Sequence, residues 1–259
     1  MLIHNNPVIN NIKRRNIYFQ KQSNDNGNKS NLKKSQTLLN GLQVVAEYNK
    51  VLLPQLKFSN SNKTLMNSKI PNLARIGDNK YRGEALSSPK NRKFLNEISS
   101  CGIGTIIDLR DKYNSQDYPD LCKEFNIKYV NIPIDASSVP TRQIIDSLPE
   151  LFKAIDNGNF YIHCAQGLHR TDIALALNYV FNPNADKPPV LLGHYRNGAL
   201  KFEDISRRLN SVKNAMTKED MKKIGIKSED FDETFRTRKK ELVEYNKKVF
   251  GNTNCELDP

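Results

Sequence analysis

Residues 161–171 read Tyr-Ile-His-Cys-Ala-Gln-Gly-Leu-His-Arg-Thr, and no other stretch constrains this chain as tightly. The apolar run Phe160 to Ile162 leads into it at strand length, and Ile173 to Phe181 follows it at helical spacing. The order is strand, tight loop, helix, with His163 and Cys164 at the strand end and Arg170 and Thr171 at the helix start. Six successive backbone N–H groups in such a loop can point inward, and the helix N-terminus adds its partial positive charge. Residues Cys164, Ala165, Gln166, Gly167, Leu168, His169 and Arg170 then form a cradle for a tetrahedral dianion. The Arg170 guanidinium offers two parallel donors to two oxygens, which a Lys could not do. Cys164 lies at the bottom of the cradle, where the field that holds an anion also favours a thiolate. A thiolate held under a phosphorus atom is an activated nucleophile.

The pattern His-Cys-x-x-Gly-x-x-Arg-Thr resembles the Cys-x5-Arg phosphate loop of the protein tyrosine phosphatase superfamily. The chain has no Trp, which argues against the branch with a Trp-Pro-Asp acid loop. The nearer resemblance is to the dual-specificity-like branch. Tyr81-Arg82-x-x-x-Leu86, then Gly102-Ile103-x-Thr105-Ile106-Ile107-Asp108-Leu109-Arg110, is also similar to the atypical dual-specificity phosphatases of bacteria, fungi and plants. The likeness runs from about Tyr81 to Phe181, and Gly83 stands where those sequences often have Ser. It implies an α/β fold: a central, mostly parallel sheet flanked by helices, here with a helical C-terminal extension. It implies a phosphate-monoester hydrolase working through a phosphocysteine intermediate, with neither metal nor cofactor.

The resemblance also implies roles. His163 orients the loop and tunes Cys164, and the Thr171 hydroxyl donates to the Cys164 sulfur. An Asp in the loop after the Lys128–Ile132 strand is the general acid, because an alkoxide or phenoxide leaves poorly without a proton. The candidate is Asp135, 29 residues before Cys164 and the only carboxylate between Asp120–Glu124 and Asp146. The alternative for Asp135 is an ordinary turn bond. Arg110 ends a strand on the side where α/β proteins bind ligands. It either meets substrate or pairs with Asp108 or Asp111.

One position departs from the pattern. Family loops usually continue Arg-Ser/Thr-Gly, whereas Asp172 follows Thr171 here. An acidic residue in a first helical turn suits the helix dipole, yet it brings negative charge toward an anion site. A phosphate-binding module that has lost turnover is therefore one rival reading, and a rhodanese-type sulfurtransferase is another. Among substrates, phosphotyrosine and phosphoserine or phosphothreonine proteins compete with phosphoinositides and inositol phosphates. Superfamily members acting on phosphoinositides tend to carry Lys in the variable loop positions. Here those positions are Ala165, Gln166, Leu168 and His169, with no fixed charge, which favours protein substrates unless Arg82, Arg110, Lys112 or a basic residue of the C-terminal helices supplies a cation.

The rest of the chain bounds the context. Of the net charge of +12, +9 belongs to residues 1–70, which hold eleven Lys and Arg against two Asp and Glu. This Asn/Lys/Ser-rich segment cannot bury enough apolar surface to offset its ordering entropy and is expected to be partly disordered. One helix is expected near 36–53, from Leu38, Leu39, Leu42, Val45 and Tyr48. The segment reads as a solvated tail, or else as an arm drawn to an anionic membrane surface or, less in keeping with its spread charge, to nucleic acid. A phosphatase domain is expected over 71–198, and helices packed on it over 199–259. No run has transmembrane length and no secretory h-region opens the chain. Four cysteines without framework or zinc spacing suit a reducing, cytoplasmic compartment, with export by a signal-less route left open.

Overall fold

The computed structural model describes residues 45, 46, 48, 49, 65–86, 92–111, 118–134, 140–196 and 199–250. Asp135, Lys112, Cys255, the expected helix opening at Ser88-Pro89 and most of the helix expected near 36–53 lie outside the described residues. The strands are β1 (Ala74–Gly77), β2 (Lys80–Gly83), β3 (Thr105–Asp108), β4 (Lys128–Asn131) and β5 (Phe160–His163). They form one sheet in the order β1-β2-β5-β3-β4, in which only the β1–β2 hairpin is antiparallel. The helices are α1 (Arg92–Ser100), α2 (Tyr118–Glu124), α3 (Thr141–Asp156), α4 (His169–Phe181), α5 (Glu203–Ala215), α6 (Lys218–Lys223) and α7 (Phe231–Phe250).

The sheet is buried on both faces, as a parallel sheet requires. Strand alternation sends Tyr81, Ile106 and Tyr161 to one side, among Leu95 and Ile98 of α1 and Tyr118 and Cys122 of α2. Ile107, Val130, Phe160 and Ile162 go to the other, where α3 and α4 pack. Val45 and Tyr48 join that second core, and the Tyr48 hydroxyl donates to Arg75 O at 2.7 Å.

Helical spacing places Ile173, Ala174, Leu177 and Val180 on one face of α4, yet every residue from Thr171 to Phe181 is buried. The reason is that α3, α5 and α7 cover its remaining faces. Pro149 lies inside α3, where a proline ordinarily kinks or breaks a helix, yet α3 runs through it unbroken. Seven buried side chains on α3, from Ile144 to Ile155, offset the ~3 kcal/mol that an interior Pro costs. α3 opens at Thr141, with Pro140 at its cap position and no side-chain cap bond. The last helix starts at Phe231, with Asp232 and Glu233 in its first turn and Lys247 and Lys248 in its last, a polarity that suits the helix dipole. Strand β1 has no apolar run to announce it; it exists because Asp78 and Asn79 turn the chain back, with Asn79 at φ 50°. A two-residue hairpin, β6 (Tyr195–Arg196) with β7 (Ala199–Leu200), also precedes the helical region expected from Ala199 onward. Thr217 and Asp220 form a capping box at the start of α6, the Thr217 hydroxyl accepting from Asp220 N and the Asp220 carboxylate from Thr217 N.

Candidate active site

Strand register builds the site's floor. Gly83, His163, Asp108 and Asn131 align as partners across the carboxyl edge of the sheet. The chain leaves β5 at His163, turns through Cys164–Leu168 and enters α4 at His169, so the loop sits at that edge and at the N-terminus of α4.

The loop's carbonyls are all turned outward. Cys164 O accepts from His163 Nδ1 at 3.1 Å, and Ala165 O from Ala85 N at 3.2 Å. Gln166 O accepts from Asn72 Nδ2 at 3.0 Å. Gly167 O takes Arg82 Nε at 3.0 Å and Nη2 at 2.8 Å, while Leu168 O takes Arg82 Nη2 at 2.9 Å and Asp172 N at 3.0 Å. Among the described residues, none accepts a backbone hydrogen bond from Ala165, Gln166, Gly167 or Leu168. Their N–H groups are left for a ligand inside the loop. Gly167 makes the turn possible: its φ is +67°, and a Cβ there would come within 1.9 Å of Gly83 O.

Cys164 is buried in the loop and Arg170 is half-buried beside it. Arg170 has no ion-pair partner among the described residues, whereas each of the other two arginines at this edge does. The Thr171 hydroxyl is buried and finds no hydrogen-bond partner among the described residues, so the expected bond to the Cys164 sulfur is not formed in this structure.

His163 is wholly buried behind the loop. A carbonyl can only accept, so Nδ1 carries the proton given to Cys164 O. Nε2 therefore accepts from the Tyr118 hydroxyl at 3.3 Å. Burial pushes the imidazole pKa down, and the nearby Asp108 charge only partly opposes this. Burial also works against ionised Asp108, but the His163 ring and the Arg110 guanidinium outweigh it and hold that carboxyl below its ordinary range.

Arg110, left between two roles by its sequence position, clasps Asp108: Nε lies 2.9 Å from Oδ1 and Nη2 lies 2.7 Å from Oδ2. Tyr129 donates to the same carboxylate at 3.1 Å. The charge of Asp172 also needs reassessment. Its side chain points away from the loop interior, fully buried, with Arg82 Nη1 2.6 Å from Oδ1. Its Oδ2 accepts from Gly193 N at 2.8 Å, His194 N at 3.0 Å and His194 Nδ1 at 2.8 Å. Burial alone would raise its pKa; the Arg82 charge and the His194 hydrogen bond reverse that and lower it.

In the sequence Arg82 stands only as a spare cation, and Tyr118, Asn72, Gly193 and His194 carry no motif that marks them. The departure from Gly at position 172 was the one available sign that an unusual partner was waiting.

Residues 81–183 match the family model described as "Tc-R-P: Polymorphic toxin system, DSP-PTPase phosphatase". No curated protein matches. Among solved structures, the chain is similar to the core catalytic domain of PP-IP phosphatase SIW14 from S. cerevisiae, solved with citrate, at 19% identity over 68% of this chain and 98% of that one, TM-score 0.37. It is also similar to the Yvh1 phosphatase domain from Chaetomium thermophilum, at 18% identity over 59% of this chain and 92% of that one, TM-score 0.32. A third likeness is to Tk-PTP in its active form, at 12% identity over 65% and 96%, TM-score 0.36. The matched segment opens at Tyr81, spans the whole loop and closes just after α4, so over residues 81–183 the chain is similar to the dual-specificity-like, cysteine-based phosphatases.

Proposed function

We propose that this chain hydrolyses phosphate monoesters on proteins, phosphotyrosine foremost and phosphoserine or phosphothreonine besides, through a phosphocysteine. The Cys164 thiolate attacks phosphorus in line with the leaving oxygen. An S–P bond forms as the P–O bond breaks, and Asp135 gives the leaving oxygen its proton. A water then attacks the phosphocysteine, loses a proton to Asp135 and expels the thiolate, releasing inorganic phosphate. Arg170 and the loop N–H groups stabilise the equatorial oxygens where charge gathers. His163 holds the loop through Cys164 O, and Thr171 rotates its hydroxyl toward the sulfur as the thiolate leaves.

The single observation that carries this reading is the loop itself. Its carbonyls from Cys164 to Leu168 are bonded outward, and its amides from Ala165 to Leu168, without a backbone acceptor among the described residues, follow a buried Cys at a helix N-terminus. The pairing of the Asp172 charge with Arg82 supports turnover over the rival of a weakened site. The preference for protein over inositide substrates is supported by the engagement of Arg82 with Asp172 and of Arg110 with Asp108, because neither side chain is left over for a ring phosphate. Cys164→Ser should abolish aryl-phosphate turnover while inorganic phosphate and vanadate still bind; wild-type activity in that variant would end the proposal. On substrate, a phosphotyrosine peptide should exceed a soluble phosphatidylinositol phosphate in kcat/KM, and a preference of more than about tenfold for the lipid would reverse the reading.

The matched family is described as part of a polymorphic toxin system. We extend that setting to this chain: its phosphatase activity acts on the proteins of a target cell, in a reducing compartment where Cys164 stays a thiol. Expression should then arrest growth of a susceptible cell, and Cys164→Ser should relieve the arrest.

A further inference from the structure

The buried Arg82 guanidinium does more than balance Asp172. Its Nε and Nη2 hold the last two carbonyls of the loop, Gly167 O and Leu168 O, and its Nη1 reaches both Asp172 and Val190 O, the latter at 3.4 Å. The opposite oxygen of Asp172 is gripped by Gly193 and His194, which lie beyond the family match. Gly193 lies flat on the loop: a Cβ there would come within 2.6 Å of Leu168 C. The segment leading to it is held in turn by α7. The Asn246 side chain, fully buried, accepts from Leu191 N at 2.8 Å and donates to Pro189 O at 2.9 Å. Hydrogen bonds and one ion pair, Arg82 with Asp172, thus link α7 through residues 189–194 to the loop carbonyls.

We propose that this linkage is a positioning device by which the C-terminal segment sets the inward aim of the phosphate-loop amides, with Arg82, Asp172 and His194 as positioning residues. It rests on the phosphatase reading of the loop. Holding Gly167 O and Leu168 O outward fixes the peptide planes whose N–H groups would meet phosphate oxygens. A swing of those planes weakens every anion held there, in ground and transition state alike. Asp172 is then a requirement of this chain rather than a defect: the Gly usual in the family would leave Arg82 buried without its counter-charge.

The test compares His194→Leu, His194→Asn, Asn246→Ala and Asp172→Gly with the wild type, below the melting temperature of each. The readouts are kcat and KM for an aryl phosphate and the inhibition constant of vanadate. Asn keeps a donor where His194 Nδ1 stands, and Leu does not. The expected result is a loss of roughly tenfold or more in kcat/KM for His194→Leu and Asn246→Ala, with vanadate weakened in parallel. Asp172→Gly loses more still, and His194→Asn stays within about threefold of the wild type. A folded His194→Leu with wild-type kinetics, or a His194→Asn no better than Leu, overturns the proposal. Should His194→Leu not fold, Asn246→Ala decides: wild-type constants in that folded variant overturn it, and the tenfold loss upholds it. If the wild-type chain itself hydrolyses no phosphate ester, the proposed function fails instead. Vanadate affinity by calorimetry then judges the device by the same comparison.

Discussion

Gly83 shows how closely single residues fix this edge of the sheet. A Cβ there would stand 2.3 Å from the Tyr161 hydroxyl, which itself donates to Glu84 O at 2.6 Å. Gly83→Ser, the residue that similar sequences often carry, should therefore cost ~1–3 kcal/mol by overpacking. Tyr161→Phe in the same chain should recover part of that loss, and a double-mutant cycle from denaturant melts would show the coupling. Asp135 yields a kinetic prediction. Asp135→Ala should lower kcat by ~10²–10⁴ for a poor leaving group and far less for an activated aryl phosphate. Equal losses on both would assign the residue to structure. His163 yields a pH prediction. Burial keeps its ring neutral when folded, whereas the unfolded chain takes up a proton below about pH 6.5. The unfolded state then binds more protons, so stability rises with pH and falls on acidification. The slope from this residue approaches about 1.4 kcal/mol per pH unit between the folded pKa and 6.5. His163→Gln should flatten the dependence of melting temperature on pH over that window, and an unchanged slope would count against the assignment. Cys164, Arg170 and His163 are candidates from the sequence alone because one short loop carries them all. Arg82 could not, since its partner Asp172 lies ninety residues away and only the fold brings the two together.

Elements were legible where their pattern is local and hidden where packing decides. β3, β4 and β5 are short apolar runs, and their alternation with helices told the sheet from the sequence. β1 was hidden because Ala74-Arg75-Ile76-Gly77 carries one large apolar residue and is held by the hairpin turn. The burial of α4 on all sides was hidden for a related reason: the helices that cover it arrive from far along the chain. The loop between β5 and α4 depends on Gly167 as an element, not only as a residue. Gly167→Ala demands a positive φ of a side chain and drives its Cβ into the Gly83 carbonyl. It should cost ~2 kcal/mol or more and remove most turnover. A folded Gly167→Ala enzyme with wild-type kcat/KM would mean that the loop works in another shape. The Arg82–Asp172 pair joins β2 to α4 without solvent contact. Arg82→Met should therefore destabilise by ~3–5 kcal/mol, the cost of leaving the partner charge buried alone, as thermal or denaturant unfolding would report.

At the scale of the molecule, chemistry and charge are carried by different parts. The N-terminal segment holds most of the net positive charge, while the candidate site lies in residues 81–183 and leans on helices beyond them. No helix among the described residues is long and apolar enough to cross a membrane. Removing residues 1–30 should leave aryl-phosphatase activity intact, since Val45 and Tyr48, which pack in the core, remain. Loss of activity in a folded truncation would instead make the basic segment part of the enzyme. The central claim is that phosphate passes through the Cys164 sulfur, and the direct measurement is to trap it there. The chain is mixed with a radiolabelled aryl phosphate and quenched in acid within one turnover. The account predicts label on the peptide bearing Cys164, more of it in Asp135→Ala, where the water step slows, and none in Cys164→Ser. Turnover with no label on Cys164, or label that persists in Cys164→Ser, would contradict it.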